Sequence, residues 1–319
     1  MGAVLALAAC TSTPVAKVSP PPSTSPPPSS PSISPSPEYP PYYIESLRAL
    51  PRTPGKIELG QQVGTGSGFT RFEMTWTSQG KTMTGTIAIP AGTGPFPVVI
   101  ANHGYLPASE FTPGVDMWKY GDPLSSHGFI SIAPSYPGYG GSDSLNPPYP
   151  QIIGQVVADY DLVSSLASIP QADPARVAMI GHSNGGGVAL LMSVIDPRVK
   201  VYVLFAPVSS DMADNYRAFW HRSTSSNSVF PSPEANPDLY AHISPRNYFT
   251  SSTAPMLFLQ GTADAEIPAA WTNASILALQ QRGATADVTW YPGATHAFYY
   301  ATLAAANGRA EAWIRKYLG

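Results

Sequence analysis

The stretch RVAMIGHSNGGGVALLM, Arg176–Met192, carries one hydroxyl nucleophile, Ser183, set among His182, Asn184 and the glycines Gly181, Gly185, Gly186 and Gly187. A serine hydroxyl is a weak nucleophile until a base takes its proton. Candidate partners occur in three other short runs: His103-Gly104-Tyr105 in VVIANHGY, Asp264 and Glu266 in LFLQGTADAEIP, and His296 in VTWYPGATHAF. Imidazole titrates near neutrality, which suits both accepting and returning a proton. A carboxylate can hold the second ring nitrogen and set the tautomer. The alternative for Ser183 is structural: a glycine-rich turn whose serine only caps the following helix.

The flanking residues say how these groups would be positioned. Val177–Ile180 is a short apolar run of the kind buried on both faces of a sheet. Val188–Met192 reads as a helix ending near Asp196-Pro197. Ser183 would therefore sit on a sharp strand-to-helix turn, and Gly181 and Gly185 complete G-x-S-x-G, the nucleophile elbow. Beyond Tyr42, FTRFEMTWTS and TMTGTIAIP alternate and predict an antiparallel pair. FPVVIANHG, GFISIAPSY, RVAMIGHS, VKVYVLFAP, APMLFLQG and ADVTWYPG predict further strands. Helices are predicted at Val115–His127, Gln151–Ser168, Gly185–Ile195, Ala269–Arg282 and Ala301–Leu318. Such alternation predicts an α/β fold, a mostly parallel sheet with helices on both faces. Its ligands gather at the carboxyl ends of the strands, where the candidate groups lie.

The chain order Ser183, Asp264, His296, together with NHGY, PGYGGSD, GHSNGGG, DLYAHISPRNYF, GTADAEIP and GATHAF, resembles the α/β-hydrolase superfamily. Within it the chain is most similar to the dienelactone-hydrolase and prolyl-oligopeptidase catalytic-domain group, from Tyr42 to the C-terminus. The resemblance implies Ser183 as nucleophile, His296 as base and Asp264 as the acid that orients it. Asp264 is preferred over Glu266 because it matches the family pattern G-x-x-D-x-x-I-P. The resemblance also implies an oxyanion hole from the backbone N–H groups of Asn184 and Tyr105, with the Tyr105 hydroxyl as a secondary candidate. His103 and His182 are expected to buttress the site, and Asp143 to be structural. The insertion at 211–250 is expected to form a small aromatic cap over the nucleophile. Most of its rings should pack the cap onto the sheet, and the rest would line an apolar pocket.

Composition narrows the partners. A net charge of −3 over 319 residues disfavours nucleic acid. His127, His221 and His242 lack metal-ligand spacing, so no metal or other cofactor is expected. GTGSGF at Gly64 precedes a strand instead of opening a helix, which excludes a dinucleotide loop. Asn273-Ala274-Ser275 matches a glycosylation sequon but falls in a predicted helix. Residues 1–10, MGAVLALAAC, resemble a bacterial lipobox ending at Cys10, the sole cysteine; no Lys or Arg precedes the apolar run, a departure from the usual signal. Residues 11–41 are dominated by Pro and Ser and predict a disordered, extended tether. The domains expected are thus signal 1–10, linker 11–41 and catalytic domain 42–319, on an extracytoplasmic protein held to the bacterial membrane through lipid on Cys10.

These features predict a serine hydrolase acting on a small-molecule ester. The alternatives are a prolyl-oligopeptidase-type serine peptidase, a cutinase-like polyester hydrolase, and a non-catalytic surface binding protein that retains the fold.

Overall fold

The computed structural model describes residues 39–223 and 229–319. Cys10 and residues 11–38 of the expected tether lie outside the described residues; its last residues, 39–41, depart from the expected linker, because Tyr39 is buried in the core and Pro40–Tyr42 form a 3-10 turn. In chain order the elements are α1 (Ile44–Arg48), β1 (Glu58–Gly66), β2 (Phe69–Ser78), β3 (Lys81–Pro90), β4 (Phe96–Asn102), α2 (Val115–Ser126), β5 (Ile130–Pro134), α3 (Gln151–Ser165) and β6 (Ala172–His182). There follow α4 (Asn184–Ile195), β7 (Val199–Phe205), α5 (Met212–Ala218), α6 (Pro237–Ile243), β8 (Met256–Gly261), α7 (Ala269–Gln281), β9 (Ala286–Tyr291) and α8 (Tyr300–Leu318). The strands make one sheet in the order β1-β2-β3-β5-β4-β6-β7-β8-β9. Pairing is antiparallel from β1 to β5 through β2 and β3, and parallel from β5 to β9. This is an α/β-hydrolase fold.

The central strands are apolar on both faces because both faces are covered. Val98 and Ile100 of β4, Val177 and Met179 of β6, and Met256 and Phe258 of β8 join a core with α1, α3, α4 and α7. Their neighbours Val99, Ala101, Ala178, Ile180, Leu257 and Leu259 join the opposite core with Met117, Tyr120 and Leu124 of α2 and Trp313 and Ile314 of α8. Each large apolar side chain buried this way contributes about 1.5–3 kcal/mol, so the strand ends that carry polar groups stand on a rigid base.

The structure departs from the expected elements at two places. The N-terminal antiparallel pair is a three-stranded meander, with β1 as an edge strand almost wholly exposed. Lacking a buried face, β1 carries no apolar alternation to betray it. GTGSGF supplies the end of β1 and the turn into β2. The cap segment contains α5 and α6, each only seven residues long and too short to show a helical period. Among the described residues, no helix is long and apolar enough to cross a membrane.

Candidate active site

Ser183 joins β6 to α4 at φ 54° and ψ −117°, a conformation that costs a non-glycine residue about 1–3 kcal/mol. Surrounding bonds hold it there. Its N–H donates to Phe205 O at 3.0 Å, and its carbonyl accepts from Gly186 at 2.9 Å and Val208 at 3.2 Å. Its side chain makes no capping bond to α4, so the structural alternative is not realised. The glycines answer to close backbone approach. A Cβ on Gly181 would lie 2.2 Å from Gly185 O, and one on Gly185 would lie 2.1 Å from Asn102 O. Cβ atoms on Gly186 and Gly187 would lie nearly as close, at 2.5 Å from Pro207 and 2.6 Å from the Val208 side chain.

Asp264 follows β8 and His296 follows β9, so neighbouring parallel strands bring them together. His296 Nδ1 lies 2.9 Å from Asp264 Oδ2. The carboxylate accepts, so Nδ1 carries the proton and Nε2 is left free to act as a base. Asp264 is fully engaged: Oδ2 also accepts from Gln260 Nε2, and Oδ1 from the N–H groups of Glu266 and Ile267, all at 2.9 Å. Burial pushes this carboxyl up, but the bonds from His296, Ile267 and Glu266 outweigh it and hold it below its ordinary range. Glu266 lies on the other side of the ring, 70% exposed, with Oε2 3.8 Å from Nε2. Ser183 and His296 line the same cavity, with no hydrogen bond between their side chains.

Two residues with a role here escaped the sequence reading. Gln260 is fully buried, and its Oε1 accepts from Thr272 Oγ1 of α7 at 3.0 Å while its amide holds Asp264. A glutamine ending the apolar run MLFLQ was the available signal.

Tyr105 and Asn184 both border the cavity, and neither backbone N–H donates to a protein acceptor among the described residues. Tyr105 is 65% exposed. A Cβ on Gly104 would lie 3.3 Å from Ser183 Cβ, so the 103–105 loop passes directly over the nucleophile. His103 is buried against Tyr136, ring centroids 4.0 Å apart, and bonds Gly104 O at 2.7 Å. His182 Nε2 lies 3.2 Å from the backbone oxygen of His296. Burial lowers both histidines to about 4, for His182 with help from the neighbouring His296. Burial thus disfavours the protonated ring in both, and each is packed as a prop, His103 under the 103–105 loop and His182 between the elbow and the His296 segment. Among the described residues no cluster of three potential metal ligands exists.

The cavity measures about 690 Å³. From the cap, Phe219 and Trp220 reach it, while Tyr216, Phe230, Tyr240, Tyr248 and Phe249 do not; Phe230, Tyr240 and Phe249 are buried in the main core. Asp116 on its wall is paired with Lys119 at 3.1 Å, which leaves Glu266 and Arg222 as the other charged groups there.

With this geometry in hand, comparison with known proteins places the chain among hydrolases. The model of the prolyl oligopeptidase family matches residues 122–319. A protein of Methylorubrum extorquens named as a carboxymethylenebutenolidase is 27% identical over 248 residues, covering 72% of this chain and 75% of its own. An acetyl xylan esterase from Paenibacillus sp. R4 superposes with a TM-score of 0.65 at 19% identity, covering 86% of this chain and 92% of its own. A puromycin-hydrolysing peptidase of Mycobacterium tuberculosis superposes at 0.61 and 20%, covering 82% of this chain but 39% of its own. At such identities the superpositions speak for the fold.

Proposed function

The chain belongs to the prolyl oligopeptidase family and is a serine hydrolase; from that premise we propose that it cleaves carboxylic esters through an acyl-enzyme on Ser183. The observation that carries the assignment of roles is the Asp264–His296 bond, which turns an unprotonated Nε2 toward the cavity that Ser183 lines. As Ser183 Oγ bonds the ester carbonyl carbon, Nε2 takes its proton, and the imidazolium is stabilised by Asp264. The carbonyl oxygen becomes an oxyanion and accepts from the Tyr105 and Asn184 N–H groups, the latter at the positive end of α4. Collapse breaks the C–O bond, and His296 protonates the leaving alcohol. Water then attacks the acyl group by the same route, releasing the acid and restoring Ser183. Relatives and structural neighbours named for ester or lactone cleavage support this reading.

A fluorophosphonate probe tests it. Labelling of the parent and its loss in Ser183→Ala is the expected result; labelling that survives the substitution would move the nucleophile elsewhere. Family membership favours one second reading, a serine peptidase, which alkyl-ester and amide pairs separate. The cap residues Phe219 and Trp220 over the cavity argue against a wide, shallow cleft for polymer chains.

The same proposal places the enzyme outside the cytoplasm, held to the bacterial membrane by lipid on Cys10. Its support is the LAAC sequence followed by a Pro/Ser tether. Two or more acyl chains make such anchoring stable, at about 0.8 kcal/mol per buried CH₂. Cys10→Ser, expressed from the native gene context, should move the protein to the soluble fraction; unchanged membrane fractionation would remove the anchor.

A further inference from the structure

Two polar side chains beneath the elbow are left half-satisfied. Asn102, the last residue of β4, and Asp159, in the middle of α3, are both fully buried. Asn102 Nδ2 donates to Asp159 Oδ2 at 2.7 Å. The other oxygens of the same two groups, Asn102 Oδ1 and Asp159 Oδ1, are buried without a protein partner among the described residues. An ionised carboxylate can only accept, and so can the amide oxygen, so with Asp159 charged both orphans persist. A buried carboxylate with one hydrogen bond and no counter-charge is also far from its preferred state.

We propose that Asp159 is a positioning residue that stands as the neutral acid and closes a two-hydrogen-bond acid–amide ring with Asn102, fixing the strand end from which the oxyanion loop departs. One proton on Oδ1, donated to Asn102 Oδ1, satisfies both orphans at once. The electrostatics agree: burial raises this carboxyl to about 7, opposed only in part by the Asn102 amide. No cation is among the groups that act on it. The titratable groups that feel it are Tyr136, beyond β5, and Tyr202 of β7, and its charge would push both phenols up.

Location gives the pair its consequence. Asn102 is paired with Gly181 of β6 and stands one residue before His103-Gly104-Tyr105, and its carbonyl is the oxygen that excludes a side chain at Gly185. One turn earlier on the same face of α3, Gln155 Oε1 accepts from Asn184 Nδ2 at 3.0 Å. Positions i and i+4 of one helix thus brace both halves of the oxyanion hole, Gln155 at the elbow and Asp159 at the loop.

The role of Asp159 rests on the serine-hydrolase reading only for its kinetic readout. The experiment compares the full-length parent with Asp159→Leu and Asp159→Asn. With p-nitrophenyl butyrate at pH 6, Asp159→Leu should lower kcat at least about tenfold with KM within about threefold, and Asp159→Asn, which can form the same two bonds, should restore kcat to within about threefold. Infrared difference spectra of the parent against Asp159→Asn should show the carbonyl stretch of a protonated carboxyl. A native pKa raised above the unfolded value near 3.9 contributes stability that is present below that value and lost as pH rises through about 7. Asp159→Asn should therefore gain Tm over the parent at pH 8 relative to pH 5. Loss of activity in Asp159→Asn equal to that in Asp159→Leu, or no protonated-carboxyl band, would overturn the proposal in favour of an ionised Asp159. If Asp159→Leu does not fold, Asp159→Asn and the infrared band still decide. Fluorophosphonate labelling of each variant keeps failure of this inference distinct from failure of the Ser183 assignment.

Discussion

The ring of His182 bonds the backbone oxygen of His296 at 3.2 Å, so the residue before the nucleophile holds the segment that carries the base. The two imidazoles lie 4.8 Å apart, centroid to centroid. Elbow and base loop, 114 residues apart in sequence, are thereby coupled by one buried donor.

His182→Phe should keep the packing and lose that donor. A buried hydrogen bond contributes about 0.5–1.5 kcal/mol, so kcat should fall roughly threefold to tenfold with KM little changed. A native pKa lowered to about 4 gives stability that is present above the unfolded value near 6.5 and is lost as pH falls toward 4. The variant should therefore show a shallower fall of Tm between those pH values, measured by thermal melts in matched buffers. An unchanged kcat would reduce His182 to filler.

Asp264→Asn and Glu266→Gln should differ by orders of magnitude. An amide at 264 presents the wrong partner to Nδ1 and favours the wrong tautomer, a change worth about 10⁴ in kcat in other serine triads. Glu266 stands 3.8 Å from Nε2 and is 70% exposed, so its loss should alter kcat by less than about threefold. Because hydrogen bonds hold Asp264 below its ordinary range, its contribution is present above the unfolded value near 3.9 and is lost only as pH falls below it. Steady-state rates on one ester check the ranking; the reverse order would transfer the orienting role to Glu266.

Gly185→Ala should be among the most damaging single-carbon additions to this chain. The new Cβ would meet Asn102 O at 2.1 Å, a backbone atom in a sheet interior that has nowhere to go. Destabilisation of about 3 kcal/mol or more is expected, visible as a large fall in Tm or in soluble yield. Gly308→Ala is the control, since nothing lies within 4 Å of a Cβ there and the residue is helical in α8.

What the sequence disclosed follows from what each feature requires locally. The central strands were legible because burial on both faces demands continuous apolar runs, and α4 because glycines and then apolar residues follow Ser183. The grouping of Ser183, Asp264 and His296 was legible from strand ends and chain order. Thr272, Gln155 and Asp159 were not, because each matters through a partner at least twelve positions away that no local pattern connects to it, whereas Gln260 bonds Asp264 only four positions on and left the polar end of MLFLQ as its one local signal. The edge strand β1 was invisible for the opposite reason, having no buried face at all.

The choice between ester and peptide turns on how the leaving group is held. An amine must be protonated by His296 as the C–N bond breaks, with the peptide kept in register throughout. Among the described residues, the segment before β4 forms α1 and β1–β3, those strands extend the catalytic sheet itself, and no residue of that segment lines the cavity. Of the two carboxylates on the cavity wall, Asp116 is paired with Lys119, and Glu266 is largely exposed. Alcohols leave more readily and tolerate looser placement. For one acyl group, kcat/KM on an alkyl ester should exceed that on the matched amide at least about a hundredfold, a difference of about 2.7 kcal/mol in transition-state stabilisation. The p-nitrophenyl ester and p-nitroanilide give a first ratio, inflated by the activated leaving group, and the alkyl pair gives the deciding one. Equal or faster cleavage of the amide would make this family member a peptidase.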